Sequence, residues 1–372
     1  MAYFRTLDDL ELSLPPLTTL DDATAAPEGP LSVEQGATLA GLAPQWEALA
    51  SSVGAPPFLW PRWFAAWERA FAPGGIEPVA VRAGTQLVGV LPLLARGRGL
   101  NAAANDHTPR FEALASNHRV ARFLADDLLA RNRSLRLACL DARSTLFSAL
   151  EEGAADAGHT LTASPACLQP YIDLDGTWSD FEACLPRDTR REGARLRRRL
   201  AETGTVTFDY DDGGSRMQER LSEGFSIEGS EWKTARGTAI TSSPATESFY
   251  RAIAEWAAER GWLRLAFLRV DGRPAAFDLC VEAHDTVYVL KGGFDPAFRK
   301  FGPGQLLIRE TLIHAFDRGL RRYEFLGAAD PYKLAWTETA HELMSVRSHP
   351  PTAGGRAQVL ARRALAAARR AA

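Results

Sequence analysis

Apolar residues recur along this chain at two spacings, and the switch between them sketches its elements. Leu39, Leu42, Trp46 and Leu49 repeat every three or four residues and predict a helix over 33–51. The aromatic-rich stretch 58–71 predicts a second helix. Two apolar runs, Pro78 to Arg82 and Leu87 to Leu94, then flank the small turn Ala83-Gly84-Thr85 and predict a hairpin. Residues 97–119 are rich in glycine and asparagine and read as loop. Farther on, helices are expected over 187–203 and 249–260, with a strand over 206–210. A second hairpin spans 263–281 about Asp271-Gly272, and strands over 286–290 and 323–327 enclose one more helix.

The two hairpins are alike in kind. Each joins two apolar strands through a small turn, and each follows an aromatic-bearing helix. That reads as a duplication of mixed α/β units, an α+β arrangement of mixed sheets. The chain accordingly divides into an acidic extension at 1–32, a first unit at 33–170, a second at 171–350 and a basic tail at 351–372. In that tail Arg356, Arg362, Arg363, Arg369 and Arg370 fall on one helical face.

Length and composition fit this division. A chain of 372 residues suits two domains, and 46% hydrophobic content supports a core in each. A net charge of −3 argues against a general polyanion binder. Cys139, Cys167, Cys184 and Cys280 show no Cys-x-x-Cys pairing, and the seven histidines show no metal-ligand spacing. No metal site and no disulfide framework is therefore expected, and the cysteine usage fits a reducing cytoplasm. No apolar run reaches the ~18–20 residues of a membrane span. Asp8, Asp9, Glu11, Asp21 and Asp22 stand where a secretory signal would be apolar.

The chemistry concentrates at 291–336. Lys291-Gly-Gly-Phe-Asp295 leads into Arg299-Lys-Phe-Gly302-Pro-Gly304-Gln305, which fits Arg-x-x-Gly-x-Gly. A glycine turn that opens a helix leaves backbone N–H groups and the positive end of the helix dipole facing outward, an anion site. The glycines keep side chains away so that a pyrophosphate can approach the backbone. Pro303 removes one donor from the turn.

Taken in order with Trp232-Lys233, Lys291, Tyr332-Lys333 and Trp336, this segment resembles the pyrophosphate-binding turn of the GNAT N-acyltransferases. Over roughly 40–348 the chain resembles their CelD-like branch, acetyltransferases of cell-envelope biosynthesis related to the FemABX peptidyl transferases. The resemblance implies tandem GNAT-like units, of which only the second keeps the cofactor turn. It implies acyl-CoA as co-substrate, no permanently bound cofactor, and transfer to a primary amine. The acceptor would be an amino sugar of an exopolysaccharide, or a sphingoid or other long-chain lipid base taking a fatty acyl group. A same-class rival is aminoacyl-tRNA-dependent peptidyl transfer, against which the chain lacks the long helical arm of those enzymes. A different-class rival is a non-catalytic module whose basic segments hold a nucleotide or phospholipid. The setting expected is the cytoplasm, with contact to anionic inner-membrane lipid through the tail and no DNA partner.

N-acyl transfer needs a held thioester, a neutral amine and a proton for the departing thiolate. Arg299, Gly302, Gly304 and Gln305 are the cofactor-binding candidates. Tyr332 stands where GNAT enzymes place the tyrosine that protonates the thiolate; a tyrosine packed on a helix fits the same position. Lys333 is the next candidate acid. Glu228 is the first candidate for a base or amine-orienting acid, and Asp278, a lone acid in an apolar strand, is the second. Trp232, Lys233, Lys291 and Trp336 are expected on the acceptor side, and Lys291 fits a structural ion pair equally well. The seven arginines of 187–199 read as a solvated helix face, or as a contact for a phosphate-bearing acceptor.

Overall fold

The same six-stranded arrangement is built twice. The computed structural model describes residues 29–230 and 239–371. In chain order these form β1 (Leu31–Glu34), α1 (Leu39–Ser52), α2 (Pro61–Phe71), β2 (Ile76–Ala83), β3 (Gln86–Arg96), β4 (Gly99–Ala102), β5 (Leu114–Ala115), α3 (His118–Ala130), β6 (Ser134–Asp141) and α4 (Thr145–Asp156). There follow β7 (Thr160–Asp173), α5 (Trp178–Cys184), α6 (Arg187–Ala201), β8 (Val206–Asp211), α7 (Met217–Glu228), α8 (Pro244–Glu259), β9 (Leu263–Val270), β10 (Arg273–Ala283) and β11 (Thr286–Phe294). Last come α9 (Pro303–Asp317), β12 (Arg322–Glu324), α10 (Pro331–Leu334), β13 (Ala340–His349) and α11 (Ala353–Ala371). Among the described residues one unit comprises 29–167 with 342–371, and the other Leu168–His341.

In the first unit the strand order is β1-β2-β3-β4-β6-β13, with β5 added to β3. In the second it is β8-β9-β10-β11-β12-β7. Each sheet is antiparallel except for one pair joined by a crossover helix. That pair is β4 with β6 across α3 in one sheet, and β11 with β12 across α9 in the other. Each sheet ends on an antiparallel strand, β13 against β6 and β7 against β12. The fold is thus a tandem of mixed α/β units.

Local chemistry explains several boundaries. Asp271 and Gly272 both have positive φ (48° and 78°), the requirement of a two-residue hairpin turn between β9 and β10. Val33 lies in a strand rather than the expected helix, because Gly36 (φ 68°) turns the chain and Thr38 caps α1 by accepting from Gly41 N–H. The stretch read as loop at 97–119 also holds β4 and β5.

In the second unit, alternate residues of β10 face opposite sides. Ala276, with Ala266 and Leu268 of β9, packs under Leu306 and Leu307 of α9. Cys280, with Val287 and Tyr323, packs under Ile308 and Leu312. On the other side Phe277 lies beneath α7, where a Cβ on Gly224 would strike its ring. Asp278 shares the α9 side with Ala276 and Cys280.

Candidate active site

The site forms where two parallel strands part. β11 pairs with β12 only at Thr286↔Arg322, Val287↔Tyr323 and Tyr288↔Glu324, yet β11 runs on to Phe294. Just past the parting, the register with β10 shifts: Leu279 opposes Lys291 while Cys280 opposes Val289. Leu290 is the extra residue of a bulge, which bends a strand and re-aims its side chains. The pair Gly292-Gly293 follows. A Cβ on Gly292 would run into the Asp278 carboxylate, and one on Gly293 would stand 2.7 Å from Glu228 Cα. The two glycines therefore let an acid from β10 and the end of α7 close on β11 from opposite faces.

A 3-10 turn, Pro296–Phe301, carries the chain from β11 to α9. Gly302 is left-handed (φ 57°, ψ 46°), a conformation that favours glycine, and a Cβ there would press on a Leu196 methyl at 2.7 Å. Gly304 differs. Its φ is not positive, and a Cβ would meet nothing nearer than Phe294 at 3.7 Å. Nothing in the protein's own packing explains its lack of a side chain. α9 has no side-chain cap, and its second and third residues, Gly304 and Gln305, present N–H groups that no intrahelical acceptor reaches.

The opposite wall is 325–336. Leu326 and Gly327 both take positive φ and reverse the chain after β12. Lys333 is buried, and its Nζ donates to the carbonyls of Leu326 (2.7 Å) and Ala328 (2.8 Å), with Asp330 at 3.5 Å. Gln305 Nε2 donates to the Tyr332 carbonyl (3.0 Å), and the buried Trp336 donates its indole N–H to Gln305 Oε1 (2.9 Å). One side chain thus ties the start of α9 to the Tyr332 loop.

Tyr332 is 49% exposed, an outlier among the large hydrophobic side chains. Even so, the protein packed around its ring holds the phenol above its ordinary pKa, and Asp330 and Asp278 add to the shift. Tyr323 is fully buried, and its phenol is also raised, by burial first and then by Asp278, Cys280, Tyr210 and Tyr332. Tyr332 and Asp278 therefore act on each other on the α9 side of the sheet. Glu228 lies on the other side, 1% exposed, where its Oε2 accepts from Ile240 N–H at 2.8 Å. Its charge, after burial, helps raise the Tyr250 phenol, and Lys291 Nζ sits 5.4 Å from the centre of the Tyr250 ring.

The sequence-predicted residues thus sort into groups. Arg299, Gly302, Gly304 and Gln305 form the turn, with Tyr332 and Asp278 on the same side. Glu228 and Lys291 gather at Tyr250 on the other. Lys333 and Trp336 hold the loop that carries Tyr332. Trp232 and Lys233 lie outside the described residues. Sequence reasoning missed the parting of β11 from β12, the Leu290 bulge, and Tyr250 and Tyr323. The doubled glycine at 292–293 was the one available signal.

Residues 187–334 match the acetyltransferase (GNAT) domain family. The matched stretch runs from α6 through α10 and contains the parted strands and the glycine turn, so the second unit carries a GNAT-type acetyltransferase domain. No curated protein matches the chain. Among solved structures, it is similar to the C-terminal domain of a putative lysylphosphatidylglycerol synthetase from Agrobacterium fabrum. The identity is 12% and the TM-score 0.55, over 87% of this chain and 95% of that one. It is similar to FemX at 13% identity and TM-score 0.54, over 85% and 96% of the two chains. It is similar to L-PGS from Bacillus licheniformis at 11% identity and TM-score 0.51, over 86% and 95%. These likenesses are ones of fold, and they span both units; with a GNAT domain in the second unit and the same strand order repeated in the first, the fold is tandem GNAT-like. Among the described residues no cluster of three His, Cys, Asp or Glu could hold a metal ion, and no helix is long and apolar enough to cross a membrane.

Proposed function

We propose that the protein transfers an acyl group from a CoA thioester to a primary amine of a cell-envelope precursor, in the manner of the CelD-like branch of GNAT enzymes. The observation that carries this reading is Gly304, a glycine with neither a conformational nor a packing reason, at an uncapped helix start where two strands part. The pyrophosphate lies on the N–H groups of Gly304 and Gln305, with Arg299 beside it. The pantetheine arm enters the parting of β11 and β12. The amine attacks the thioester carbonyl, the tetrahedral intermediate collapses, and the C–S bond breaks. Tyr332 gives its proton to the departing thiolate. Its raised pKa keeps that proton in place at neutral pH. Glu228 or Asp278 takes the proton that the amine loses, from opposite faces of β11. Lys291 lines the acceptor side, a role the sequence also offers to Trp232 and Lys233 outside the described residues. Lys333 and Trp336 act through the loop they hold.

The acceptor is an amino sugar of an exopolysaccharide, or a long-chain base if the donor is a fatty acyl thioester. The setting is the cytoplasmic face of the inner membrane. The test is thiol release from a panel of CoA thioesters against a panel of amines, with product mass read by mass spectrometry. Acyl-amide formation from at least one CoA thioester is expected. Absence of both CoA binding and thiol release across the panel would remove the reading.

A further inference from the structure

In the unit Leu168–His341 arginines are generally paired, and α6 breaks that pattern. Arg220, Arg251, Arg269, Arg309, Arg318 and Arg322 each hold a carboxylate at 2.6–3.1 Å. Of the seven arginines on α6, Arg195 pairs with Glu192 at 2.6 Å and Arg199 lies over the Phe301 ring. Arg187, Arg190, Arg191, Arg197 and Arg198 are exposed and hold no carboxylate among the described residues.

This arrangement works against the helix itself. Like charges three and four residues apart repel. Arg187, Arg190 and Arg191 also crowd the first turns, where the helix dipole disfavours cations. Asp188 in the first turn and Arg198 in the last suit the dipole, but seven arginines against Asp188 and Glu192 leave the helix strongly positive. The buried side of α6 is Leu196 and Leu200, and Leu196 rests against Gly302. At about 100° per residue Arg187, Arg191 and Arg198 project from the opposite side, with Arg190 and Arg197 on its flank. The first three turn away from the glycine turn, so a donor lying there does not occupy them. From Arg187 to Arg198 the face extends about 16 Å along the axis.

We propose that this face docks the protein on an anionic lipid surface through the phosphates of its headgroups. Charge complementarity favours lipid over nucleic acid. The whole chain is acidic, with net charge −3 and pI near 6.2, where nucleic-acid-binding domains are basic overall. α6 also carries no aromatic residue on which a base could stack. A membrane surface needs only a local row of cations. The inference depends on neither the donor nor the acceptor proposed above.

The experiment is co-sedimentation of the full chain with vesicles of phosphatidylcholine alone and of phosphatidylcholine mixed with phosphatidylglycerol. Wild type should bind only the mixed vesicles, and less so as salt rises. Arg187→Gln/Arg191→Gln/Arg198→Gln should lose binding by on the order of a hundredfold, from ~1 kcal/mol per basic residue at such a surface. Its melting temperature and any CoA binding should be unchanged. Arg187→Lys/Arg191→Lys/Arg198→Lys keeps the charge and should bind as wild type does. Wild-type binding in the glutamine variant, with loss only when 353–372 are deleted, would assign lipid contact to the tail and overturn the proposal. So would a structured RNA that binds the face more tightly than the mixed vesicles at the same salt.

Discussion

The two sheets share a strand order and differ at one helix start. In the first unit α3 crosses from β4 to β6. The Asn117 side chain closes its N-terminus by accepting from Val120 N–H at 3.1 Å. In the second unit α9 crosses from β11 to β12, and its N-cap is Gly302, which has no side chain to offer. β4 stops one residue past its last pair with β6, whereas β11 runs from Val289 to Phe294 beyond its last pair with β12. One crossover is sealed by the protein's own oxygen, and the other has no side-chain oxygen at its start. A duplicated scaffold supplies the same topology twice, and on the proposed reading the ability to hold an anion rests on a few residues at one cap.

The sharpest break of this comparison is Gly304→Asp. The neighbouring space admits a Cβ, so the variant should fold with an unchanged melting temperature. It places a carboxylate where the pyrophosphate is expected, and CoA affinity measured by calorimetry should fall below detection. Unchanged affinity in the folded variant would mean that the open cap is not the donor site.

Tyr332→Phe tests whether the open side also carries the acid. It should lower kcat by ~10²–10⁴, with CoA affinity and melting temperature preserved. Because the phenol is held above its ordinary value, wild-type kcat should not decline through Tyr332 ionisation below about pH 10. Full kcat in the variant, with chemistry rate-limiting, would leave Tyr332 a packing residue.

A third effect belongs to the sealed unit. Desolvation pushes the Glu112 carboxyl from 4.5 up to about 8, against hydrogen bonds from Ser144 and from the Ala113 and Leu146 backbone. A raised acid favours the folded state while protonated. That contribution is complete below 4.5 and is lost as pH rises toward 8. Glu112→Gln should therefore gain in melting temperature relative to wild type across that window, as read by thermal scans. Parallel curves for the two proteins would contradict the assignment.

The smallest effect is Asn117→Ala, which removes the seal from α3. It should cost about 1 kcal/mol of stability by denaturant titration and leave turnover untouched. A loss of turnover would show that the first unit also takes part in the chemistry.

Much of this was legible in the chain. The Asp271-Gly272 hairpin, the basic helix at α6 and the turn at 299–305 each follow from local composition, because turn geometry and amphipathic periodicity are short-range properties. The Lys333 arrangement was not legible. Two carbonyls and a carboxylate converge on its Nζ only once Leu326 and Gly327 have reversed the chain. Gln305 likewise reads as a cofactor residue in the motif, but its side chain is engaged by Tyr332 and Trp336 through a contact about thirty residues away in sequence.

The sequence alone determined that the chain repeats a mixed α/β unit, and that one copy holds a glycine turn before a helix. Those features depend on spacing and on backbone freedom within a few residues. Only the tertiary structure decided which sheet each strand completes. β13 lies in the stretch 171–350 that reads as the second unit, yet it pairs with β6 of the first sheet. Periodicity records which face of a strand is buried and carries no label for its partner. The parting of β11 from β12 has the same origin. It depends on where a three-residue strand stops pairing, a register set by long-range packing and invisible to any local pattern.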